Sequence, residues 1–136
     1  MRIASRKPSE AALHRLGALA KLPVFLDLSG RRAVIAGGTA AAAWKAELLA
    51  AAGAEVHIYA QAAGGELTDL IARGAAAGSL ALHAEAWSPD CITGAAIAIA
   101  DAADEAEAHA FWTAARAAGV PVNIIDKPAY CQFQFG

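Results

Sequence analysis

Apolar positions along this chain switch between two spacings, and the switches mark out elements. Residues 33–36, Ala-Val-Ile-Ala, form a short apolar run entering the pair Gly37-Gly38, which predicts a buried strand and a tight turn. Residues 39–53 follow as a helix, with Thr39 as its N-cap and Gly53 as its stop. Residues 54–60 alternate, with β-branched Val56 and Ile58, and predict a second strand. A helix over 65–78, ended by Gly78, leads to an alternating third strand over 79–87. Residues 88–94 read as a turn or a short helical turn. Residues 95–101 are apolar on both faces, as in a central parallel strand. A helix over 104–119, acidic in its first turn, and a fifth strand over 120–126 complete the pattern. The last ten residues match no recognisable element.

Five strands alternating with helices at this spacing predict an α/β fold. The expected architecture is a doubly wound, Rossmann-like, five-stranded parallel sheet with strand order 3-2-1-4-5. It is expected to occupy residues 22–136, behind an N-terminal extension over 1–21. In that extension Leu13, Leu16 and Leu19 recur every three residues, which predicts a short amphipathic helix.

Composition narrows the picture. The chain is 136 residues long and 57% hydrophobic, but 40 of its residues are Ala, so the larger apolar side chains suffice for one core. A net charge of −2 argues against a general nucleic-acid partner. No apolar stretch of membrane-spanning length is free of charge, and the basic start lacks the apolar core of a secretory signal, so no membrane partner and a cytoplasmic location are expected. Cys91 and Cys131 form no CxxC pair and read as free thiols, with one disulfide as the alternative.

In a doubly wound sheet, ligands sit beyond the C-terminal strand ends. Strand one ends in Gly37-Gly38-Thr39-Ala40-Ala41-Ala42, a variant of the GxGxxA dinucleotide turn with Thr39 at the second glycine position. The Thr39 hydroxyl is available to cap the helix or to bond a phosphate. Strand two ends in Ala60-Gln61-Ala62 with no ribose-binding acid, which leaves NAD against NADP open. Asp101 and Asp126 follow strands four and five. Either carboxylate can act as a base facing a ligand, and the competing reading of Asp101 is a helix N-cap. The four histidines are scattered without metal-ligand spacing, so no metal ligands are assigned. Trp44, Trp87 and Trp112 read as packing residues, and Lys45 as a solvated helix residue.

Two blocks now stand out. Residues 22–60 carry Leu22-Pro23-Val24-Phe25, the Gly37-Gly38-Thr39 turn, Lys45 with Leu48-Leu49, and Ala52-Gly53-Ala54. Residues 119–136 carry the strand Pro121 to Asp126 followed by Cys131-Gln132-Phe133. Together they resemble the N-terminal domain of sirohaem synthase, the precorrin-2 dehydrogenase and sirohydrochlorin ferrochelatase family. The resemblance implies NAD-dependent oxidation of precorrin-2, a tetrapyrrole, to sirohydrochlorin. It implies ferrous iron as the substrate of a chelatase step. Asp126 takes the place of the family's essential Asp and would remove a proton. The cofactor contacts would fall on Gly37, Gly38, Thr39, Ala40 and Ala41, on Gln61 and Ala62, and on Ala100, Asp101 and Ala102. Departures are Thr39 for a third glycine, Ala102-Ala103 for a Thr-Asp stretch, and Ala108 for an Asn.

The resemblance also implies a homodimer in the full-length protein, with dimerisation and helical domains beyond Asp126 and, in longer members, a methyltransferase domain. On that basis this chain is expected to be one domain of a longer protein, with very low dehydrogenase activity alone. Its aromatic tail is expected to be disordered or packed on another copy. The alternative function is a non-catalytic nucleotide-sensing module.

Overall fold

The computed structural model describes residues 15–135. Its elements are β1 (Arg32–Ala36), α1 (Ala40–Ala51), β2 (Glu55–Tyr59), α2 (Gly65–Arg73), β3 (Ser79–His83), α3 (Pro89–Ile92), β4 (Ile97–Ala100), α4 (Glu105–Ala117) and β5 (Val122–Ile124), then a 3-10 turn at Pro128–Tyr130. All strand pairs are parallel, in the order β3-β2-β1-β4-β5. This is the expected doubly wound sheet. The switch point lies between β1 and β4, where Ile35 pairs with Ile99 and Ala36 with Ala100.

Strand alternation divides the core into two layers. Ala33, Ile35, Val56, Ile58, Ile97 and Ile99 face α1 and α2. Val34, Ala36, Ala98, Ala100, Val122 and Ile124 face the other way, towards Phe111 and Ala115 of α4. The alanine excess has a use here. Ala42, Ala43, Ala46 and Ala50 are the buried side of α1, so helix and sheet approach closely without large side chains between them.

Several expectations shift. The helix expected over 65–78 stops at Arg73, because Gly74 turns the chain with φ +85°. Gly78 has a different role: a Cβ there would lie 2.0 Å from the Ala54 carbonyl oxygen, so it permits close passage of β3 beside the α1–β2 turn. The third strand ends at His83, since the Glu85 amide turns back onto the His83 carbonyl. Residues 15–21 form no helix. Leu16 and Leu19 are exposed, with no apolar surface to order them, and Leu13 lies outside the described residues.

The tail is not loose: it packs on its own chain. The Gln132 amide donates to the Val122 carbonyl, and the buried Asn123 side chain donates to the Phe133 carbonyl at 2.9 Å. Phe133 and Phe135 then pack against the first core layer. The tail thus lies back along β5 and covers the sheet edge.

Candidate nucleotide-binding site

The β1–α1 turn is shaped by close backbone approach. Gly37 has φ +128°, and a Cβ on Gly38 would meet the Ala62 carbonyl oxygen at 2.1 Å. The Gly64 amide donates to the Gly38 carbonyl at 2.8 Å, so the β2–α2 loop is clamped onto the turn. Thr39 caps α1 as expected, accepting from the Ala42 amide at 3.1 Å. The Ala40 and Ala41 amides have no partner among the described residues, leaving two donors and the positive end of the helix dipole at the strand tips.

The Thr39 hydroxyl has a second task that the sequence did not disclose. It donates to the Asp101 carboxylate at 2.5 Å, tying the turn to the end of β4. Asp101 does not cap α4; that role belongs to Asp104, which accepts from the Glu107 amide at 2.8 Å. The Asp101 amide donates to the Ala36 carbonyl, and the Ile125 amide to the Ala100 carbonyl, both at 2.9 Å. The tips of β1, β4 and β5 are therefore laced side by side.

Of the sequence-picked residues, the fold brings together Gly37, Gly38, Thr39, Ala40, Ala41, Ala62 and Asp101, with Gln61 exposed beside them and Ala100 and Ala102 flanking Asp101. Asp126 stands one strand further along. It is exposed and holds a left-handed φ of +62°, the only non-glycine among the described residues to do so. It lines a separate cavity of about 220 Å³ with Lys45, Asn123, Lys127, Cys131 and Phe135. Lys45 is not a merely solvated helix residue: its ammonium sits 4.0 Å above the Phe135 ring. Nearby, the Tyr130 hydroxyl and the Lys127 ammonium hold the Glu105 carboxyl below its usual range, with Lys127 Nζ 3.3 Å from Glu105.

Sequence reasoning missed Asn123, whose signal was a lone amide in an apolar strand. It also missed the meeting of His57 and His83, two residues on neighbouring strands whose register only the sheet reveals. Of the tryptophans, Trp87 packs edge-on against Phe111 and Trp112 edge-on against Tyr130, whereas Trp44 is 59% exposed and packs into no core. Cys91 and Cys131 are both free thiols. Among the described residues, no group of three or more His, Cys, Asp or Glu side chains is placed to hold a metal ion. No helix among them is long and apolar enough to cross a membrane.

A parallel sheet with a glycine turn and free helix amides at its switch point defines the doubly wound, Rossmann-like class. More particularly, the chain belongs to the family described as "Putative NAD(P)-binding", whose model matches residues 24–136. It is 40% identical over 111 residues to a siroheme synthase of Nitrosomonas eutropha, covering 82% of this chain and 23% of that protein. It is 41% identical over 112 residues to a siroheme synthase of Thiobacillus denitrificans, covering 82% of this chain and 22% of that one. The chain thus spans less than a quarter of the length of these curated relatives. The fold is similar to that of SirC, a precorrin-2 dehydrogenase, with a TM-score of 0.61 and 19% identity over 85% of this chain and 52% of that one.

Proposed function

We propose that this chain is the NAD-binding part of an enzyme that oxidises precorrin-2 to sirohydrochlorin in sirohaem synthesis. The observation that carries the reading is the lacing of three strand tips, which sets the glycine turn, Asp101 and Asp126 along one edge of the sheet. The likeness to siroheme synthases supplies the substrate.

The residues present fit a dinucleotide. The unpartnered Ala40 and Ala41 amides at the start of α1 suit a phosphate. Gly37 and Gly38 keep the turn low, with Gln61 and Ala62 beside it for the adenosine half and Ala100, Asp101 and Ala102 beside it for the nicotinamide half. NAD, when bound, supplies a hydride acceptor. Asp126, exposed just past the end of β5, takes the proton that leaves the substrate carbon. Asp101, tied to Thr39, positions the turn rather than the proton. In the same reading, ferrous iron is the metal substrate of a later chelatase step, the reactions belong to the cytoplasm, and the working form is a homodimer. The exposed Leu22, Val24, Phe25 and Leu26 support a partner surface of that kind.

The test is titration of the chain with NAD⁺, followed by addition of precorrin-2 under anaerobic conditions. The expected result is nucleotide binding and a tetrapyrrole spectral shift that depends on NAD⁺, with slow NADH formation that Asp126→Asn removes while nucleotide binding persists. Nucleotide binding without any tetrapyrrole response would leave a sensing module instead. Oxidation that survives Asp126→Asn would place the base elsewhere.

A further inference from the structure

We propose that His57 and His83 form a surface site for one divalent transition-metal ion, oriented by Glu55. The site is distinct from the glycine turn and from Asp126, and it does not rest on the nucleotide reading. His57 lies on β2 and His83 on the edge strand β3, one step apart on the diagonal, since His57 pairs with Ala81 and Tyr59 with His83. Both side chains point to the sheet face opposite α1 and α2. There α4 packs over β4 and β5, and both imidazoles are left half-buried.

The two imidazoles already converge. His57 Nδ1 and His83 Nε2 share a hydrogen bond of 2.9 Å, with ring centroids 5.2 Å apart and planes at 20° to each other, so one proton lies between the two nitrogens. With a usual metal–nitrogen bond of about 2.0–2.1 Å, a 2.9 Å separation corresponds to a nitrogen–metal–nitrogen angle of about 90°. A cation displaces the proton shared by the two nitrogens to solvent, and both rings turn about their soft χ2 so that the two lone pairs meet it beside the pair. An angle near 90° suits octahedral or tetragonal ions such as Ni(II) and Cu(II) better than tetrahedral Zn(II).

The surroundings supply what such ligands need. Glu55 Oε1 lies 3.2 Å from His57 Nε2, the ring nitrogen that faces away from His83. A carboxylate there accepts a hydrogen bond from Nε2–H and so favours the tautomer with its lone pair on Nδ1, the arrangement that commonly orients a metal-bound histidine. His83 is fixed from its other side by the Tyr59 ring, stacked at 4.5 Å and 10°. Tyr59 is itself held by Arg32, whose guanidinium donates to the Tyr59 hydroxyl at 3.1 Å and to the Cys91 carbonyl at 2.9 Å. The protein therefore supplies two nitrogen ligands held side by side, and solvent fills the remaining positions. A pair of imidazoles selects ions of the Ni(II), Cu(II) and Zn(II) group over Mg(II), which takes oxygen ligands.

The test is calorimetric titration of the tag-free chain with NiCl₂, CuCl₂, ZnCl₂ and MgCl₂, with electron paramagnetic resonance of the Cu(II)-loaded protein. One Ni(II) or Cu(II) per chain is expected, with no Mg(II) heat and a Cu(II) spectrum showing two coordinated imidazole nitrogens. His57→Ala and His83→Ala should each abolish binding at concentrations that saturate the wild type. Glu55→Gln should weaken it by about tenfold or more, as expected for loss of an orienting partner, and His109→Ala should leave it unchanged. The spectrum is read on the wild type, so it decides the matter even if a histidine variant misfolds. Absence of Ni(II) and Cu(II) binding, a one-nitrogen spectrum, or loss of binding in His109→Ala but not in His57→Ala would each overturn the proposal.

Discussion

The Thr39 hydroxyl accepts from the Ala42 amide and donates to the Asp101 carboxylate, so one side chain starts α1 and ties it to the end of β4. The position is the one where dinucleotide turns usually carry a glycine. The chain has exchanged backbone freedom there for a hydrogen-bonded brace.

Thr39→Ala should therefore cost more than a helix cap. Loss of the cap alone is worth about 1 kcal/mol, and release of Asp101 adds to it. Thr39→Ser, which keeps the hydroxyl, should retain most of the stability. A double-mutant cycle of Thr39→Ala with Asp101→Ala, read by urea denaturation, should give a coupling of about 0.5 kcal/mol or more. Strict additivity would mean that the two groups do not interact in solution.

Gly38→Ala should be among the most damaging single changes at the turn. Its Cβ would meet the Ala62 carbonyl at 2.1 Å, and backbone rather than a flexible side chain must move. Overpacking of this kind costs about 1–3 kcal/mol, and the shift should also weaken nucleotide binding. Gly65→Ala, where a Cβ meets nothing within 4 Å, is the control and should change neither. Thermal melts and NAD⁺ titrations of both variants make the comparison.

Asp126 carries backbone strain that a structural role does not require. Its φ of +62° suits glycine, so Asp126→Gly should stabilise the fold by about 1 kcal/mol while removing the proposed precorrin-2 oxidation. A variant that is both more stable and inactive fits strain retained for function. Loss of stability on this change would point to Asp126 as a structural residue.

The Glu105 clamp gives a pH window. Tyr130 and Lys127 lower the Glu105 carboxyl below its ordinary 4.5, so its contribution is present above that value and lost as pH falls through the lowered one. Glu105 in turn raises the Tyr130 phenol above its ordinary 10.0, so that contribution is present below 10.0 and lost as pH rises through the raised value. Melting curves of the wild type and Glu105→Gln should differ between these limits and converge beyond both. Glu105 is exposed and Lys127 and Tyr130 are partly so, and added salt should shrink the difference.

Asn123→Ala should free the tail. The amide that donates to the Phe133 carbonyl is buried, and its loss strands that carbonyl, at about 1–3 kcal/mol. Limited proteolysis should then cut within 127–135 sooner than in the wild type. An unchanged cleavage pattern would mean that Phe133 and Phe135 hold the tail without Asn123.

The sequence by itself determined the parallel sheet, its strand order and the glycine turn at its switch point. Those follow from local causes: apolar runs of strand length, an N-cap at Thr39, and glycines where the chain must turn. It also picked out Asp101 and Asp126, because residues that follow apolar strands must emerge at one edge. Only the tertiary structure decided what these groups touch. Asp101 holds Thr39, 62 positions away, while the neighbouring Asp104 caps α4. Lys45 and Phe135, far apart in sequence, meet because the tail folds back along β5. His57 and His83 look unrelated in sequence and meet because parallel register aligns their strands. The physical reason is the range of the interactions. Periodicity and capping act within a few residues and can be read along the chain, whereas side-chain partners across a sheet are chosen by strand order and register, which exist only once the core has closed.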